Sequence, residues 1–145
     1  MDSLKELLLR SLTKQAESIA VVDYVQQEDV IEYTYADLLK QQRENEDMLS
    51  AFQIDSSHIM ILLLPNSFAF VSWVVTCIAN DICFLSVDDD PFCTEDILSA
   101  SLKQLPVSLL VTTDSLYSKY ITKDLPLNLL LIDSTAHFVY SFAHP

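Results

Sequence analysis

The 145-residue sequence contains no glycine, whereas an average usage of about 7% would give roughly ten. Several phosphate-binding and catalytic motifs need glycine, because its missing side chain lets the backbone turn sharply and approach a ligand closely. The absence therefore excludes a Walker loop, a dinucleotide-binding fingerprint and the nucleophile elbow of an α/β-hydrolase. A helix N-terminus could still meet a phosphate, but no motif marks such a site.

Basic residues are also scarce. Eight Lys and Arg stand against 21 Asp and Glu, which gives a formal net charge of −13. This charge repels nucleic-acid phosphates and anionic lipids, and no Lys/Arg cluster compensates for it locally, so nucleic-acid binding is not expected. Half of the residues are hydrophobic and 20% are charged, which is typical of a folded chain. The length predicts a single domain over residues 1–145.

The cysteines form no recognisable framework. There are three of them, Cys77, Cys83 and Cys93, an odd number without the short paired spacing of a metal site. Cys77 lies among apolar residues, which favours a buried, unreactive thiol. Reduced thiols and the lack of a secretory signal predict a cytoplasmic protein.

One apolar stretch, residues 68–87, could be mistaken for a membrane span. Asn80 and Asp81 fall in its second half, and a charge deep in a bilayer costs about 3 kcal/mol. The apolar helix that precedes them is about twelve residues long, which is closer to a core helix than to a span. We therefore predict no membrane span.

Hydrophobic periodicity and capping signals predict five helices and six strands. The helices are predicted over residues 3–15, 35–51, 68–79, 94–104 and 114–122. The strands are predicted over residues 19–25, 30–35, 59–64, 82–87, 107–112 and 127–132, the first two as a hairpin. Capping boxes are expected at Ser3 and Thr34, and caps at Thr94 and Asp114. The tail after Asp133 shows no clear element.

The order of these elements predicts the fold. From residue 59 onward strands and helices alternate, which is typical of a parallel sheet with right-handed crossovers. The strands at 59–64 and 82–87 are apolar without alternation, as in strands covered on both faces. Residues 68–79 are apolar on nearly all sides, so we expect a buried helix with Trp73 shielded from water. The fold class is therefore α/β, with three layers and a mostly parallel sheet between helices on both faces.

Few side chains suggest a site. The histidines share no ligand spacing and are expected in loops or at the surface: His58, His137 and His144. Three consecutive carboxylates could hold a divalent cation, but they lack the EF-hand pattern and are expected in a solvated loop: Asp88, Asp89 and Asp90. Three serines have no neighbouring motif that would activate a hydroxyl, and are expected to cap or pack: Ser67, Ser72 and Ser86.

Several segments resemble, in order, the N-terminal part of the AMP-forming adenylation superfamily, which includes acyl-CoA synthetases and the adenylation domains of peptide synthetases. They are Ala-Val-Val-Asp at 20–23, Tyr-Thr-Tyr-Ala-Asp-Leu-Leu at 33–39, the stretch 59–67 ending in Pro-Asn-Ser, Cys-Phe-Leu-Ser-Val-Asp at 83–88 and residues 107–114. The resemblance covers about residues 4–133.

The chain departs from the family pattern at two turns. Ser57 and His58 stand where family members usually have Gly-Asp, and Asn80 and Asp81 stand where they have Ala-Gly. Asn and Asp tolerate a positive φ better than most residues, so we expect the second turn to form without glycine.

The resemblance implies an enzyme that joins a carboxylic acid, fatty or amino, to ATP and passes the acyl group to a thiol. The family's ATP-binding loop and catalytic Lys lie downstream of the matched region. No catalytic, cofactor-binding or metal residue is therefore assigned here, and ATP and Mg are implied only for the parent enzyme. We expect this segment to be inactive alone and to pack against the rest of that enzyme or self-associate through exposed apolar surface. A non-catalytic interaction module and a truncated isoform remain the alternatives.

Overall fold

The computed structural model describes residues 3–26, 29–90, 92–121 and 125–144. The helices are α1 (Leu4–Lys14), α2 (Tyr35–Ala51), α3 (Phe68–Ala79), α4 (Thr94–Gln104) and α5 (Asp114–Tyr120). The strands are β1 (Ile19–Gln26), β2 (Asp29–Thr34), β3 (Ile59–Leu63), β4 (Cys83–Ser86), β5 (Val107–Thr112), β6 (Asn128–Ile132) and β7 (Phe138–Phe142). All five predicted helices and all six predicted strands are present, with small differences at their ends.

The main sheet has five strands in the order β4-β3-β5-β6-β7. The first four are parallel, and β7 runs antiparallel to β6. Strands β1 and β2 form a separate antiparallel hairpin, and residues 27 and 28 of its predicted turn lie outside the described residues. The predicted α/β fold with a mostly parallel sheet is confirmed.

Helices cover both faces of this sheet. Leu62 and Val111 point to the face where α2 and α3 pack, and Ile61 and Leu110 point to the face where α4 and α5 pack. The alternation follows from the two-residue repeat of a strand, which sends successive side chains to opposite faces. A third cluster joins α1 and the hairpin to α2 and α3, around the buried Leu12. The three-layer prediction is confirmed.

Helix α3 is the most enclosed helix. Three of its side chains are fully buried: Ala69, Trp73 and Cys77. They belong to the hydrophobic cluster between this helix and the sheet. None of its residues is exposed, because α1 and α2 cover the sides that the sheet leaves open. The predictions of a buried helix and a shielded Trp73 are confirmed.

Two strand predictions were wrong. Residues 138–142 were expected to form no element, but they form β7, an edge strand with all five residues exposed. Because every residue of β7 is exposed, its sequence shows no alternation of buried and exposed positions that would predict a strand. Only its pairing with β6 defines it as a strand. Strand β4 was expected to be buried on both faces, yet it is the opposite edge strand, with Cys83 and Ser86 exposed. An apolar run indicates a strand, but not its place in the sheet.

The helix caps are partly as predicted. Ser3 and Thr34 both form complete capping boxes, with Glu6 and Asp37 as the reciprocal acids. The glycine-free turn after α3 also forms as expected, with Asp81 at a φ of 56°.

The caps predicted at Thr94 and Asp114 are one residue too far along the chain. The N-cap of α4 is Cys93, which makes no side-chain cap hydrogen bond. The Thr94 hydroxyl instead accepts the backbone N–H of Asp90 at 2.7 Å, so it fastens the preceding loop. The N-cap of α5 is Thr113, and Asp114 lies in the first helical turn, where a carboxylate favours the helix dipole.

Candidate functional site

Sheet topology identifies where a ligand would be expected. In open α/β sheets, ligands bind outside the carboxyl ends of the strands, at the point where the strand order reverses. Here the order reverses at β3, because β4 lies on one side of it and β5 on the other. The chain leaves these strands at Pro65 and Thr113, and both residues line an open pocket of about 540 Å³.

This pocket, which we call the carboxyl-edge pocket, is acidic. Its lining includes Asp89, Asp114 and Asp133, together with Ser115 and Ser134. No Lys or Arg is among the described residues that line it. Three carboxylates in one pocket repel an anionic ligand.

Asp89 is held by two residues of α5. Its Oδ1 accepts a hydrogen bond from Lys119 Nζ at 2.8 Å and another from the Tyr120 hydroxyl. The hydrogen bond from Lys119, followed by that from Tyr120, lowers the pKa of Asp89 below its ordinary value. The same ion pair raises the pKa of Lys119. Lys119 is therefore engaged by Asp89.

Asp133 closes the turn between β6 and β7. Its Oδ1 accepts the backbone N–H groups of Thr135 at 2.9 Å and His137 at 3.0 Å, and the Thr135 hydroxyl at 2.6 Å. Burial alone would raise the pKa of Asp133, but these hydrogen bonds outweigh it and lower the pKa below its ordinary value. The ionised carboxylate thus fixes the turn that directs the chain into β7.

The N-terminus of α3 is also occupied from within the chain. Ser67 Oγ accepts the backbone N–H of Phe70 at 3.3 Å, and buried Asp23 Oδ2 accepts that of Phe68 at 2.9 Å. Tyr33 stacks on Phe68, with ring centroids 3.8 Å apart. These contacts join the hairpin to α3 and use amides that a phosphate would need. No local pattern indicates this role of Asp23, which lies inside a β-branched run.

Together these residues do not fit a nucleotide. A triphosphate needs cationic or amide donors, whereas the carboxyl-edge pocket offers carboxylates and the α3 N-terminus is capped internally. Within the described ranges, no three His, Cys, Asp or Glu side chains are placed to hold a metal ion.

The histidines lie at three separate places. His58 Nδ1 accepts the backbone N–H of Asp55 at 3.0 Å in the turn before β3. His137 Nδ1 lies 2.7 Å from the Thr135 hydroxyl in the turn before β7. The backbone N–H of His144 donates to Asn128 at the far end of β6. The structure therefore does not bring them together.

The candidate aspartates and serines have structural roles. Asp90 Oδ1 accepts the backbone N–H of Phe92, as expected of a loop that leads into a helix. Ser67 is a cap, and buried Ser72 donates to the carbonyl of Ala69 at 2.8 Å. Ser86 is exposed on the edge strand β4, so the expectation of packing does not hold there.

Three free cysteines differ in exposure. Cys77 is fully buried, with Sγ 3.9 Å from the sulfur of Met60, and burial is the main cause that raises its pKa to about 12. Cys83 and Cys93 are exposed. The Asp90 carboxylate raises the pKa of Cys93, so its thiolate is disfavoured although it is accessible.

We expect the native chain at about pH 8 to react with two equivalents of a thiol reagent, because only thiolates attack and Cys77 is neutral and enclosed. The third equivalent should appear only in denaturant. A Cys77→Ala variant should give two equivalents under both conditions. Three equivalents in the native chain would show that α3 opens or that Cys77 is not enclosed.

Within the described residues, no helix is long and apolar enough to cross a membrane.

Comparison with known proteins gave structural matches only, since no protein-family model and no curated protein matches the sequence. The structure titled CmiS6 matches with a TM-score of 0.79 at 15% identity, over 98% of this chain and 33% of that chain. The O-succinylbenzoate coenzyme A synthetase of Bacillus subtilis, solved with ATP and magnesium, matches with a TM-score of 0.63 at 20% identity, over 79% of this chain and 29% of that chain. A benzoate CoA ligase from Burkholderia xenovorans LB400 matches with a TM-score of 0.73 at 13% identity, over 95% of this chain and 27% of that chain.

These matches confirm at the level of fold the resemblance that the sequence segments predicted. The chain has the fold of one part of adenylate-forming enzymes. It spans between 27% and 33% of the length of these three chains.

Proposed function

We propose that this chain is the N-terminal structural subdomain of an adenylate-forming enzyme, with the family-like region over about residues 4–133. Such an enzyme would activate a fatty or amino acid as an acyl-adenylate and pass the acyl group to a thiol, in the cytoplasm. The observation that carries the proposal is the fold: nearly the whole chain superimposes on about a third of a much longer chain. The ordered segments that resemble the superfamily support it independently.

The part that this chain would play is architectural. Its parallel sheet and the buried helix α3 form a continuous hydrophobic core, which supports the carboxyl ends of β3 and β5. ATP and Mg would be bound by the rest of the polypeptide, because the carboxyl-edge pocket presents Asp89, Asp114 and Asp133 and has no Lys or Arg among its described lining residues.

ATP–pyrophosphate exchange tests this proposal in two arms. The 145-residue chain alone should show no exchange with any carboxylic acid, since a triphosphate needs cationic or amide donors and no Lys or Arg is among the described residues that line the carboxyl-edge pocket. A longer polypeptide expressed from the source transcript, with this chain at its N-terminus, should show exchange that depends on a particular acid. Exchange by the highly purified short chain would contradict the architectural role. A folded longer polypeptide that exchanges with no member of a broad acid panel would contradict the enzyme.

A non-catalytic interaction module is the second candidate. The observation that favours it is β7, whose apolar residues Phe138, Val139, Tyr140 and Phe142 are each about half exposed at the edge of the sheet.

A further inference from the structure

Strand β7 lacks the features that usually protect an edge strand. Natural edge strands avoid pairing with other chains through charged side chains, proline or a covering element. Residues 138–142 contain no charge and no proline, and all five are exposed. Only β6 pairs with β7 among the described strands. The outer N–H and C=O groups of β7 are therefore open to another strand.

The two faces of β7 differ. Tyr140 and Phe142 pair with Leu131 and Leu129, and all four lie on the α4–α5 face of the sheet. Phe138 pairs with Ile132 on the opposite face, because the register shifts between Leu131 and Ile132.

Tyr140 and Phe142 thus form one wall of an apolar groove, which has a volume of about 790 Å³. The groove is also lined by Tyr117, Leu127, Leu129 and His144. No carboxylate is among its described lining residues.

Charge distinguishes this edge from the other one. Residues 134–144 contain no Asp, Glu, Lys or Arg, whereas β4 is bracketed by Asp81 and Asp88. A second copy of this chain carries the same net charge of −13. The β7 edges of two copies can approach one another without bringing carboxylates together. Two β4 edges would instead bring Asp81 and Asp88 of both copies close to one another.

We infer that β7 pairs with β7 of a second copy of this chain, antiparallel and about a two-fold axis at Ser141. This axis places Tyr140 of each copy opposite Phe142 of the other, so that four aromatic rings close over the two grooves. Cross-strand aromatic pairs of this kind stabilise a sheet. An axis at Tyr140 would instead oppose Phe138 to Phe142, which lie on different faces.

The pairing joins two five-stranded sheets into one of ten strands. Because the interface is isologous, each copy uses the same edge, β7, and the assembly closes as a dimer instead of growing into a filament. The dimer needs only residues of this chain, so its test does not depend on the enzyme proposed above.

Substitution of Ser141 by residues of opposite charge tests the two-fold axis. Ser141→Asp and Ser141→Lys each place like charges directly opposite one another across the axis, which destabilises a strand pair. Sedimentation equilibrium should show the unaltered chain moving from 16.4 kDa towards twice that mass with concentration. Either variant alone should dimerise more weakly, by up to about fivefold. An equimolar mixture of the two should recover dimerisation, because Asp then faces Lys.

Matched controls come from the other edge. Ser86 is an exposed serine on β4, so Ser86→Asp and Ser86→Lys change the net charge equally and should leave dimerisation unchanged. Circular dichroism of each variant checks that the fold is kept. A chain that stays monomeric at every concentration would overturn the inference. Failure of the mixture to recover, or equal losses at Ser86, would also overturn it, as would binding of a hydrophobic dye without any rise in mass.

Discussion

Replacing Trp73 with alanine is expected to lower the free energy of unfolding by about 3–5 kcal/mol, a large part of the stability of a domain of this size. Trp73 is fully buried between α3 and the sheet, and its loss leaves a cavity that the surrounding side chains cannot fill. Urea denaturation followed by circular dichroism measures the change, with the slope of the transition checked for constancy.

Two substitutions control this prediction. Trp73→Phe should lower the free energy of unfolding by only about 1–2 kcal/mol, because the indole Nε1 has no hydrogen-bond partner among the described residues and only volume is lost. Phe92→Ala should change it by less than about 0.5 kcal/mol, since Phe92 is 88% exposed. Equal losses for Trp73→Ala and Phe92→Ala would contradict the position of Trp73 in the core.

Asn45→Ala is expected to lower the free energy of unfolding by about 2 kcal/mol. Asn45 lies on α2, is 2% exposed, and donates to the hydroxyls of Ser72 and Thr76 on α3 at 3.2 Å each. It also accepts from Gln41 Nε2 at 3.0 Å. Its removal breaks the polar contact between the two helices and leaves buried hydrogen-bonding groups without partners.

Gln42 offers the matched control, since it lies on the same helix and is also buried. Its Nε2 donates to Glu46 Oε1 at 3.1 Å, whereas its Oε1 has no partner among the described residues. Gln42→Met therefore loses one part-buried hydrogen bond and removes an unsatisfied buried acceptor. This change should leave the free energy of unfolding within about 1 kcal/mol or raise it. A loss for Gln42→Met as large as that for Asn45→Ala would mean that burial, and not the hydrogen-bond network, determines the effect.

The sequence predicts the helices and the central strands because their signals are local. The capping boxes at Ser3 and Thr34 need only residues three positions apart. The apolar stretches at 59–64 and 68–79 are too long and continuous to be surface elements. The three-layer α/β fold follows from their alternation, so most of the architecture could be predicted before the structure was known.

The features that escaped prediction depend on contacts between distant segments. Strand β7 exists because β6 offers it an edge, and its own residues show no alternation. The role of Asp23 depends on Phe68, which lies 45 positions along the chain. Thr94 was expected to cap α4, but its hydroxyl forms hydrogen bonds with the backbone of Asp88 and Asp90 in the preceding loop. No property of the single segments reveals these partners.

The resemblance to adenylate-forming enzymes was also predictable, whereas the carboxyl-edge pocket was not. Asp89 and Asp133 come from two loops and Asp114 from the first turn of α5, and only the parallel order of the strands brings them to one edge.

The most direct test of the architectural role is the intact mass of the endogenous polypeptide that contains this chain. It can be isolated with an antibody against residues 1–145 and measured by top-down mass spectrometry. Because the chain covers 33% of the CmiS6 chain, we predict a species roughly three times as long, in which this sequence is continuous with a Ser/Thr/Gly-rich loop. A mature protein of 16.4 kDa as the abundant species would contradict the proposal and favour an independent interaction module.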